Sequence, residues 1–368
     1  MESVRFRSLL DTPGPFVSVY FEDSHDTHDA DAQLELKWRG LREQLEDQGV
    51  DEALTAEIGQ AIMDLRPPIG RSGRAVVAGA TGVVVNEHLL RPTAETVVRV
   101  SELPYIVPIL ENGFDSSQYV LVVVDHAGAD ITVHTDGRLR SETVDGGGYP
   151  VHKASGAETA GYGDPQLRTD EAARKNVRAV ADRVAELVDR TGVGVVFVVG
   201  EVSSRSDLLT ALPERVRALA VPLQIGARHS GHGFDEVQRA IEGWFLKRRL
   251  NVMDDAAQRF GAEIGRDSGR AAEGLGGVCS ALRQGAVDTL IVGDLGDATV
   301  VADENLTTVA PNADVLSEQG AAPAKTLRAD EALPLFAISV GASLVRTDER
   351  IAPADGVAAV LRYAPSVH

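Results

Sequence analysis

Apolar positions in the first third of the chain follow two spacings. Residues 16–21 are apolar at nearly every position, as in a buried strand. Leu34, Trp38, Leu41 and Leu45 are spaced as one face of a helix. The predicted elements are a strand over 16–21, helices over 34–45 and 54–65, and strands over 75–78 and 83–85. The turn-rich stretch 111–117 predicts a linker.

In the middle third, two apolar strands precede a long glycine-containing stretch between Asp145 and Pro165. Asp136-Gly137 predicts a hairpin turn, because glycine adopts positive φ without strain. Thr169 is predicted as the N-cap of the helix that follows. The predicted elements are strands over 119–125, 131–134 and 195–199, and a helix from about 169 to 187.

After a second linker over 226–233, helices and strands alternate to the end of the chain. The predicted elements are helices over 236–251 and 271–283, and strands over 289–292, 299–301, 337–340 and 356–363. This order favours a mixed α/β protein. The predicted division is an N-terminal α/β domain (1–115), a middle domain (116–226) with the glycine-rich loop 146–163, and a C-terminal α/β sandwich (227–368).

Composition is typical of a folded, soluble protein: 368 residues, 43% hydrophobic and 25% charged. No apolar run reaches the ~20 residues that a membrane-spanning helix needs. The N-terminal residues lack the features of a signal peptide. A single cysteine, Cys279, excludes an intramolecular disulfide and a Cys-cluster zinc site. The expected location is the cytoplasm.

A net charge of −19 argues against a protein that coats nucleic acid non-specifically, since binding to phosphates needs clustered cations. The charge is uneven, however. Residues 116–226 carry 12 basic and 15 acidic side chains, whereas residues 1–115 carry 10 and 20. An RNA contact is therefore best sought in the middle third.

Motifs for nucleotide phosphates and for a serine nucleophile are absent, which predicts no cofactor and no catalytic nucleophile. Residues 23–31 hold two histidines and four aspartates, which could bind a metal or could cap the following helix in a solvated loop. Cys279 is on an apolar stripe, which favours a buried thiol over a nucleophile.

The glycine-rich loop 146–163 combines aromatic and basic side chains, which suit stacking on bases and contact with phosphates. Arg174, Lys175 and Arg178 follow as a basic strip on the next helix. A mobile loop before an ordinary amphipathic helix remains an alternative. Lys247-Arg248-Arg249 is a second basic run, either a contact with RNA or protein or a solvated face. The loop side chains in question are Tyr149, His152, Lys153 and Tyr162.

Several segments resemble the bacterial branch of the archaeal-type release factor and Pelota family, most closely actinobacterial relatives of the ribosome hibernation factor Balon. These segments are GGGYPVHK at 146–153, GYGD at 161–164, EAARKNVR at 171–178, VDTLIV at 287–292 and ADEAL at 329–333. The resemblance implies a ribonuclease-H-like middle domain and a C-terminal domain like the ribosomal proteins L7Ae and L30e.

The resemblance also implies a ribosomal role. The middle loop would enter the peptidyl-transferase centre, the first domain would lie near the decoding centre, and the third domain would meet elongation factor Tu. This chain departs from release factors in two motifs. Gly147-Gly148 is followed by Tyr149 instead of glutamine, and the Asn-Ile-Lys-Ser motif for stop codons is missing.

The function expected from these features is a non-enzymatic hibernation factor that binds the vacant or stalled ribosomal A site and blocks the peptidyl-transferase centre. The alternative is a rescue factor that hydrolyses peptidyl-tRNA, or a tRNA nuclease in which Asp125 and Asp130 would bind metal. The expected partners are the 70S ribosome, through 23S and 16S rRNA, and elongation factor Tu, with neither membrane nor DNA. The predicted rRNA-binding residues are Gly147, Gly148, Tyr149, His152, Lys153, Tyr162, Arg174, Lys175 and Arg178.

Overall fold

The structure is a computed structural model that describes residues 1, 3–25, 29–65, 71–113, 118–135, 138–145, 165–225, 234–347 and 351–365. Its chain divides into two compact units. We call residues 1–115 and 245–368 the terminal unit, and residues 116–244 the middle unit. The predicted division into three domains stays a prediction. Buried residues of its first and last domains belong to one hydrophobic core.

The N-terminal part of the terminal unit is an antiparallel sheet covered by two helices. Its elements are a 3-10 helix (Ser3–Leu9), β1 (Phe16–Glu22), α1 (Ala30–Asp47), α2 (Glu52–Asp64), β2 (Gly73–Gly79), β3 (Gly82–Leu89), β4 (Val97–Ser101) and α3 (Val107–Asn112). The strand order is β3-β2-β1-β4. Leu41, Leu45, Ile58 and Ile62 are buried against one face of the sheet, as the helical spacing predicts.

The middle unit is a five-stranded mixed sheet. Its elements are β5 (Tyr119–Val124), β6 (Gly128–Thr135), β7 (Arg138–Asp145), α4 (Pro165–Thr191), β8 (Val196–Gly200), α5 (Val202–Ala211), α6 (Glu214–Arg217) and β9 (Ala220–Pro222). The strand order is β7-β6-β5-β8-β9, with β5, β8 and β9 parallel and β6 antiparallel to its neighbours. When the five strands are renumbered 1 to 5 in chain order, from β5 to β9, the order in the sheet is 3-2-1-4-5. This is the ribonuclease-H-like order that the resemblance implies.

Helix α7 (Phe234–Gly265) contributes residues to both units. In the middle unit, the Trp244 ring meets the edge of Phe197 on β8 at a centroid distance of 5.2 Å. In the terminal unit, Ala256 and Phe260 pack on one face of the C-terminal sheet. The helix is longer than the predicted 236–251. Its apolar side chains continue beyond residue 251, where Ala256 and Phe260 cover the C-terminal sheet.

The C-terminal part of the terminal unit is an α/β sandwich with two small sheets, as predicted. Its elements are β10 (Ala271–Glu273), α8 (Gly274–Arg283), β11 (Val287–Val292), β12 (Thr299–Ala302), β13 (Val309–Ala310), α9 (Ala313–Glu318), β14 (Lys325–Arg328), α10 (Ala329–Ser339), β15 (Ser343–Arg346) and β16 (Val357–Leu361). The strand orders are β10-β16-β11-β15 and β13-β12-β14. The mixed α/β class is therefore confirmed.

Helix α10 joins the two parts of the terminal unit. Every residue from Ala329 to Ile338 is buried, and the core around it includes Phe6 and Leu9 of the N-terminal 3-10 helix. Since Leu9 and α10 are so distant in sequence, no local pattern could predict this packing. One hydrophobic core thus serves both ends of the chain.

Arg99 on β4 provides the polar link across the same boundary. One guanidinium nitrogen donates to Asp330 and to Glu331 in the first turn of α10, each at 3.1 Å. The guanidinium also lies over the ring of Tyr105, 3.6 Å from its centroid. Burial raises the pKa of Glu331, although the hydrogen bond from Arg99 opposes this shift. Arg99 therefore compensates the buried Glu331 and shares Asp330 with Arg328 of β14, which donates to the same carboxylate.

Three sequence predictions are wrong in detail. Thr169 lies inside α4, which begins at Pro165, a residue suited to the first helical position. Residues 271–273 form β10 instead of the start of a helix, because they pair with β16. Residues 337–340 were predicted as a strand, yet Ala337 to Ser339 end α10. Short apolar runs fit a buried helix as well as a strand.

Replacing Arg99 by alanine should lower the free energy of unfolding of the terminal unit by about 2 kcal/mol, because Glu331 stays buried without its cation while Asp330 keeps its hydrogen bonds from Arg328. Denaturant unfolding would measure the loss. Arg42→Ala is the matched control, since it removes an arginine from the exposed pair with Glu46 and should leave the midpoint unchanged. Equal shifts in both variants would contradict a special role for Arg99.

His134 should make the middle unit sensitive to acid. Its ring stacks on Tyr119 at a centroid distance of 4.1 Å, and burial lowers the pKa of His134 to about 4. The unfolded chain, with a pKa near 6.5, binds the proton first, so stability falls as the pH drops from about 6.5 to about 4.

At pH 5 this histidine should cost the middle unit about 2 kcal/mol relative to pH 7. The variant His134→Phe keeps a ring for the stack and lacks the titration. Urea unfolding of both proteins at the two pH values would measure the difference. An identical pH dependence in wild type and variant would show that His134 does not contribute.

Candidate nucleic-acid interface

The loop predicted to contact RNA connects β7 with α4. Residues 146–164 lie outside the described residues. Six of the predicted contact residues fall there: Gly147, Gly148, Tyr149, His152, Lys153 and Tyr162. The elements that flank the loop are described, as are the other three predicted residues.

Arg174, Lys175 and Arg178 lie on α4, at the beginning of the part of this helix whose side chains are described. Arg174, Lys175 and Arg178 are all exposed, and the only other exposed residue between 174 and 181 is Ala179. In the part of the chain that the structure describes, Arg174 and Arg178 form no ion pair with a carboxylate. This surface therefore concentrates positive charge in a protein of net charge −19.

Helical spacing explains why these side chains face outward. Val177, Val180 and Val184 are buried against the sheet and fix the opposite side of α4. The predicted position of the basic strip, opposite the apolar stripe, agrees with the structure. Its role in binding rRNA stays a prediction.

An ion pair fixes α4 to the edge strand β7. The Arg183 guanidinium donates to both carboxylate oxygens of Glu142, at 2.6 and 2.7 Å. This two-bond contact lowers the pKa of Glu142 and raises the pKa of Arg183. Paired hydrogen bonds restrict rotation as well as distance, so the two stems of the loop keep a fixed orientation.

A second contact fixes α4 to the turn between β5 and β6. The Asn176 side-chain nitrogen donates to the carbonyl oxygen of His126 at 3.2 Å. Asp125 closes that turn, since its carboxylate accepts from the backbone N–H groups of Ala127 and Gly128. The imidazole of His126 is exposed at this turn.

The carboxylates considered for a nuclease serve as structural acceptors in this unit. Asp125 is buried in the turn just described. Asp130 accepts a hydrogen bond from Thr143 on the neighbouring strand at 2.9 Å. Among the described residues, no group of three or more metal-binding side chains is arranged to hold an ion.

The other candidates from the sequence also have structural contacts. Asp23 is buried and receives a hydrogen bond from Arg74, which is itself fully buried, at 2.8 Å. Arg249 donates to the carbonyls of Glu111 and Gly113 at the end of α3. Cys279 is buried as predicted, and burial raises the pKa of its thiol to about 12.

Asn176 and His126 were missed by the sequence prediction. Asn176 precedes Val180 and Val184 at intervals of four residues, so a polar side chain on the apolar stripe was visible in the sequence. His126 follows an aspartate that is suited to a side-chain-closed turn. No sequence pattern connects the two, because their hydrogen bond depends on how α4 packs on the sheet.

No described helix has both the length and the apolar character that crossing a bilayer requires. The family model of "Bacterial archaeo-eukaryotic release factor family 2" matches residues 118–266. Uncharacterized proteins from two strains of Mycobacterium tuberculosis are 50% identical over 364 residues, which cover 99% of this chain and 97% of each relative.

Two solved structures of related type are similar over most of the chain. An archaeal Pelota, in a structure of ribosome-bound Pelota and ABCE1, is 16% identical, covers 99% of this chain and 94% of its own, and has a TM-score of 0.40. The archaeal translation termination factor is 16% identical over 99% of each chain, with a TM-score of 0.27. From the family match and the near full-length relatives, the chain belongs to the bacterial archaeo-eukaryotic release factor family.

Proposed function

We propose that this protein is a ribosome hibernation factor that binds the A site of vacant or stalled ribosomes. It blocks the peptidyl-transferase centre through the loop 146–163 and catalyses no release. Its partner is the 70S ribosome, contacted through 23S rRNA by the middle unit and through 16S rRNA by residues 1–115. Elongation factor Tu is the proposed partner of residues 227–368.

One combination of features carries this proposal. A release-factor family member has Gly147-Gly148 followed by Tyr149, where a hydrolytic factor has glutamine, and the stem of this loop carries Arg174, Lys175 and Arg178 exposed to solvent. The loop therefore lacks the group that release chemistry uses, while its stem keeps cations suited to phosphates. Such a surface favours a protein that occupies the ribosomal A site over one that catalyses peptide release.

Electrostatics favour a localised contact. Each phosphate neutralised by a lysine or arginine releases counterions, and the affinity then falls steeply with salt. An overall charge of −19 repels RNA elsewhere, so the cations near the loop select one orientation. Among the described residues, Arg174 and Arg178 form no ion pair with a carboxylate. No intramolecular ion pair therefore has to break when a phosphate replaces the water around them.

Charge reversal tests the role of this surface. The triple variant Arg174→Glu, Lys175→Glu, Arg178→Glu should lower the affinity for vacant 70S ribosomes at least tenfold, because three phosphate contacts become repulsive. Its melting temperature should be unchanged, since all three side chains are exposed. Co-sedimentation at low and near-physiological salt would measure binding.

The charge-matched control reverses Arg190, Arg215 and Arg217, exposed arginines of the same unit that lie on the last turn of α4 and on α6. These arginines pair with Glu186, Asp189 and Glu214, so the folded fraction of both variants is first measured by circular dichroism. The change of net charge is the same in both variants. Equal losses of affinity would mean that net charge, instead of this surface, governs binding. Wild-type protein that stays in the supernatant at both salts, with and without elongation factor Tu, would remove the proposed function.

A second experiment distinguishes a protein that only occupies the A site from one that hydrolyses peptidyl-tRNA or cleaves tRNA. Incubation with ribosome-bound peptidyl-tRNA and magnesium should release no peptide and cut no tRNA, because the loop has no Gly-Gly-Gln motif. Restoring the motif with Tyr149→Gln gives the informative comparison. Steady accumulation of free peptide or cleaved tRNA with the wild-type protein would replace hibernation with the rescue function.

A further inference from the structure

We propose that Asp182 determines the specificity of the basic surface on α4. Its carboxylate repels a phosphate that continues past Arg178, and so it ends the RNA contact there. A contact of this short length favours rRNA held in a ribosome over an extended single strand. This inference rests on the proposed RNA-binding function and adds the residue that limits it.

The first argument is the position of Asp182 on the helix. Asp182 follows Arg178 by four residues and Lys175 by seven, and both intervals join neighbours on one helical face. All three side chains are exposed, whereas Val180 and Val184 are buried against the sheet on the opposite side. The negative charge therefore lies in line with the cations, one turn further along α4.

The second argument is that no cation in the described part of the chain pairs with Asp182. Two carboxylates further along the same helix are paired. Glu186 contacts Arg183 at 2.6 Å, and Asp189 contacts Arg215 at 2.6 Å. Their charges are offset, whereas the charge of Asp182 acts directly on an anion that approaches the helix.

The third argument is that folding does not explain a carboxylate at this position. Asp182 lies inside α4, where aspartate is among the less favourable residues. It is also far from the first turn at Pro165, where a negative charge would stabilise the helix dipole. Its carboxylate accepts no hydrogen bond from a described residue. A neutral residue would suit the helix better, so the charge itself needs a reason.

Distance decides which phosphates the carboxylate affects. A helix rises about 1.5 Å per residue, so Asp182 lies about 6 Å beyond Arg178 along the axis. The Debye length is about 8 Å at physiological ionic strength, and a phosphate held by Arg178 is therefore within reach of the repulsion. Asp189 lies about 16 Å beyond Arg178, outside that range. Position thus separates the effect of Asp182 from that of net charge.

A short contact changes the balance between two kinds of RNA. Single-stranded RNA in solution binds mainly through the number of phosphates that meet cations. A ribosomal site holds its phosphates in fixed positions and offers further contacts to the protein. Repulsion at Asp182 therefore weakens binding to free RNA more than binding to the ribosome.

Two variants of Asp182 test this role with fluorescently labelled polyuridylate as the free RNA. Asp182→Asn should bind it about threefold more tightly than wild type at physiological ionic strength, since a repulsive charge is removed. Asp182→Lys should bind it about tenfold more tightly, since a cation replaces the carboxylate. Fluorescence anisotropy would measure these affinities. Co-sedimentation with vacant 70S ribosomes should show a smaller gain for each variant.

Asp189→Asn is the matched control, because it changes the net charge equally on the same helix. Its folded fraction is first measured by circular dichroism, since Asp189 pairs with Arg215. This variant should bind polyuridylate as wild type does at physiological ionic strength. Equal gains for Asp182→Asn and Asp189→Asn would show that net charge governs binding, and would overturn the proposal.

The two assays separate this proposal from the proposed function. If Asp182→Asn gains no affinity for polyuridylate while wild type pellets with ribosomes, the role of Asp182 is overturned and the hibernation function stands. If both Asp182 variants gain affinity for polyuridylate and wild type never pellets, the repulsion at Asp182 stands and the hibernation function fails. Gains as large on ribosomes as on polyuridylate, or no binding of polyuridylate by any variant, would overturn the role in specificity.

Discussion

Burial of the acidic first turn of α10 is the constraint on which the terminal unit depends. Asp330 and Glu331 enter a core that also contains Phe6 and Leu9, and two carboxylates in such a place need a cation. Arg328 pairs with Asp330 from the residue before α10, whereas Glu331 pairs with Arg99, which reaches it only when β4 lies against α10. Charge compensation therefore fixes where the N-terminal sheet docks, while the hydrophobic contacts supply most of the stabilisation.

The middle unit is organised differently. Its sheet has a separate core. Its polar contacts, Arg183 with Glu142 and Asn176 with His126, connect α4 to the elements around the stem of the loop. They restrict how α4 can move relative to β7 and to the turn between β5 and β6.

This arrangement bears on the choice between binding and catalysis. In a ribonuclease-H-like sheet, acidic side chains could meet where the strands end. The Asp125 carboxylate instead accepts hydrogen bonds from the backbone of its own turn. The exposed face of α4 carries positive charge, from Arg174, Lys175 and Arg178. The proposed role in binding RNA rests on these cations and on the glutamine that is missing from the loop sequence.

The sequence by itself determined the elements whose pattern is local. Helical spacing gave α1, α2 and the outward face of α4, and apolar runs gave β1, β5 and β8. It failed at 337–340, where a short apolar run belongs to a buried helix, and at Thr169, where Pro165 starts the helix earlier. It also marked the basic strip, because Arg174, Lys175 and Arg178 lie close together in the chain. Only tertiary structure brought Arg99 to Glu331 and Asn176 to His126, since hydrogen bonds between residues 232 and 50 positions apart depend on packing that no local periodicity encodes.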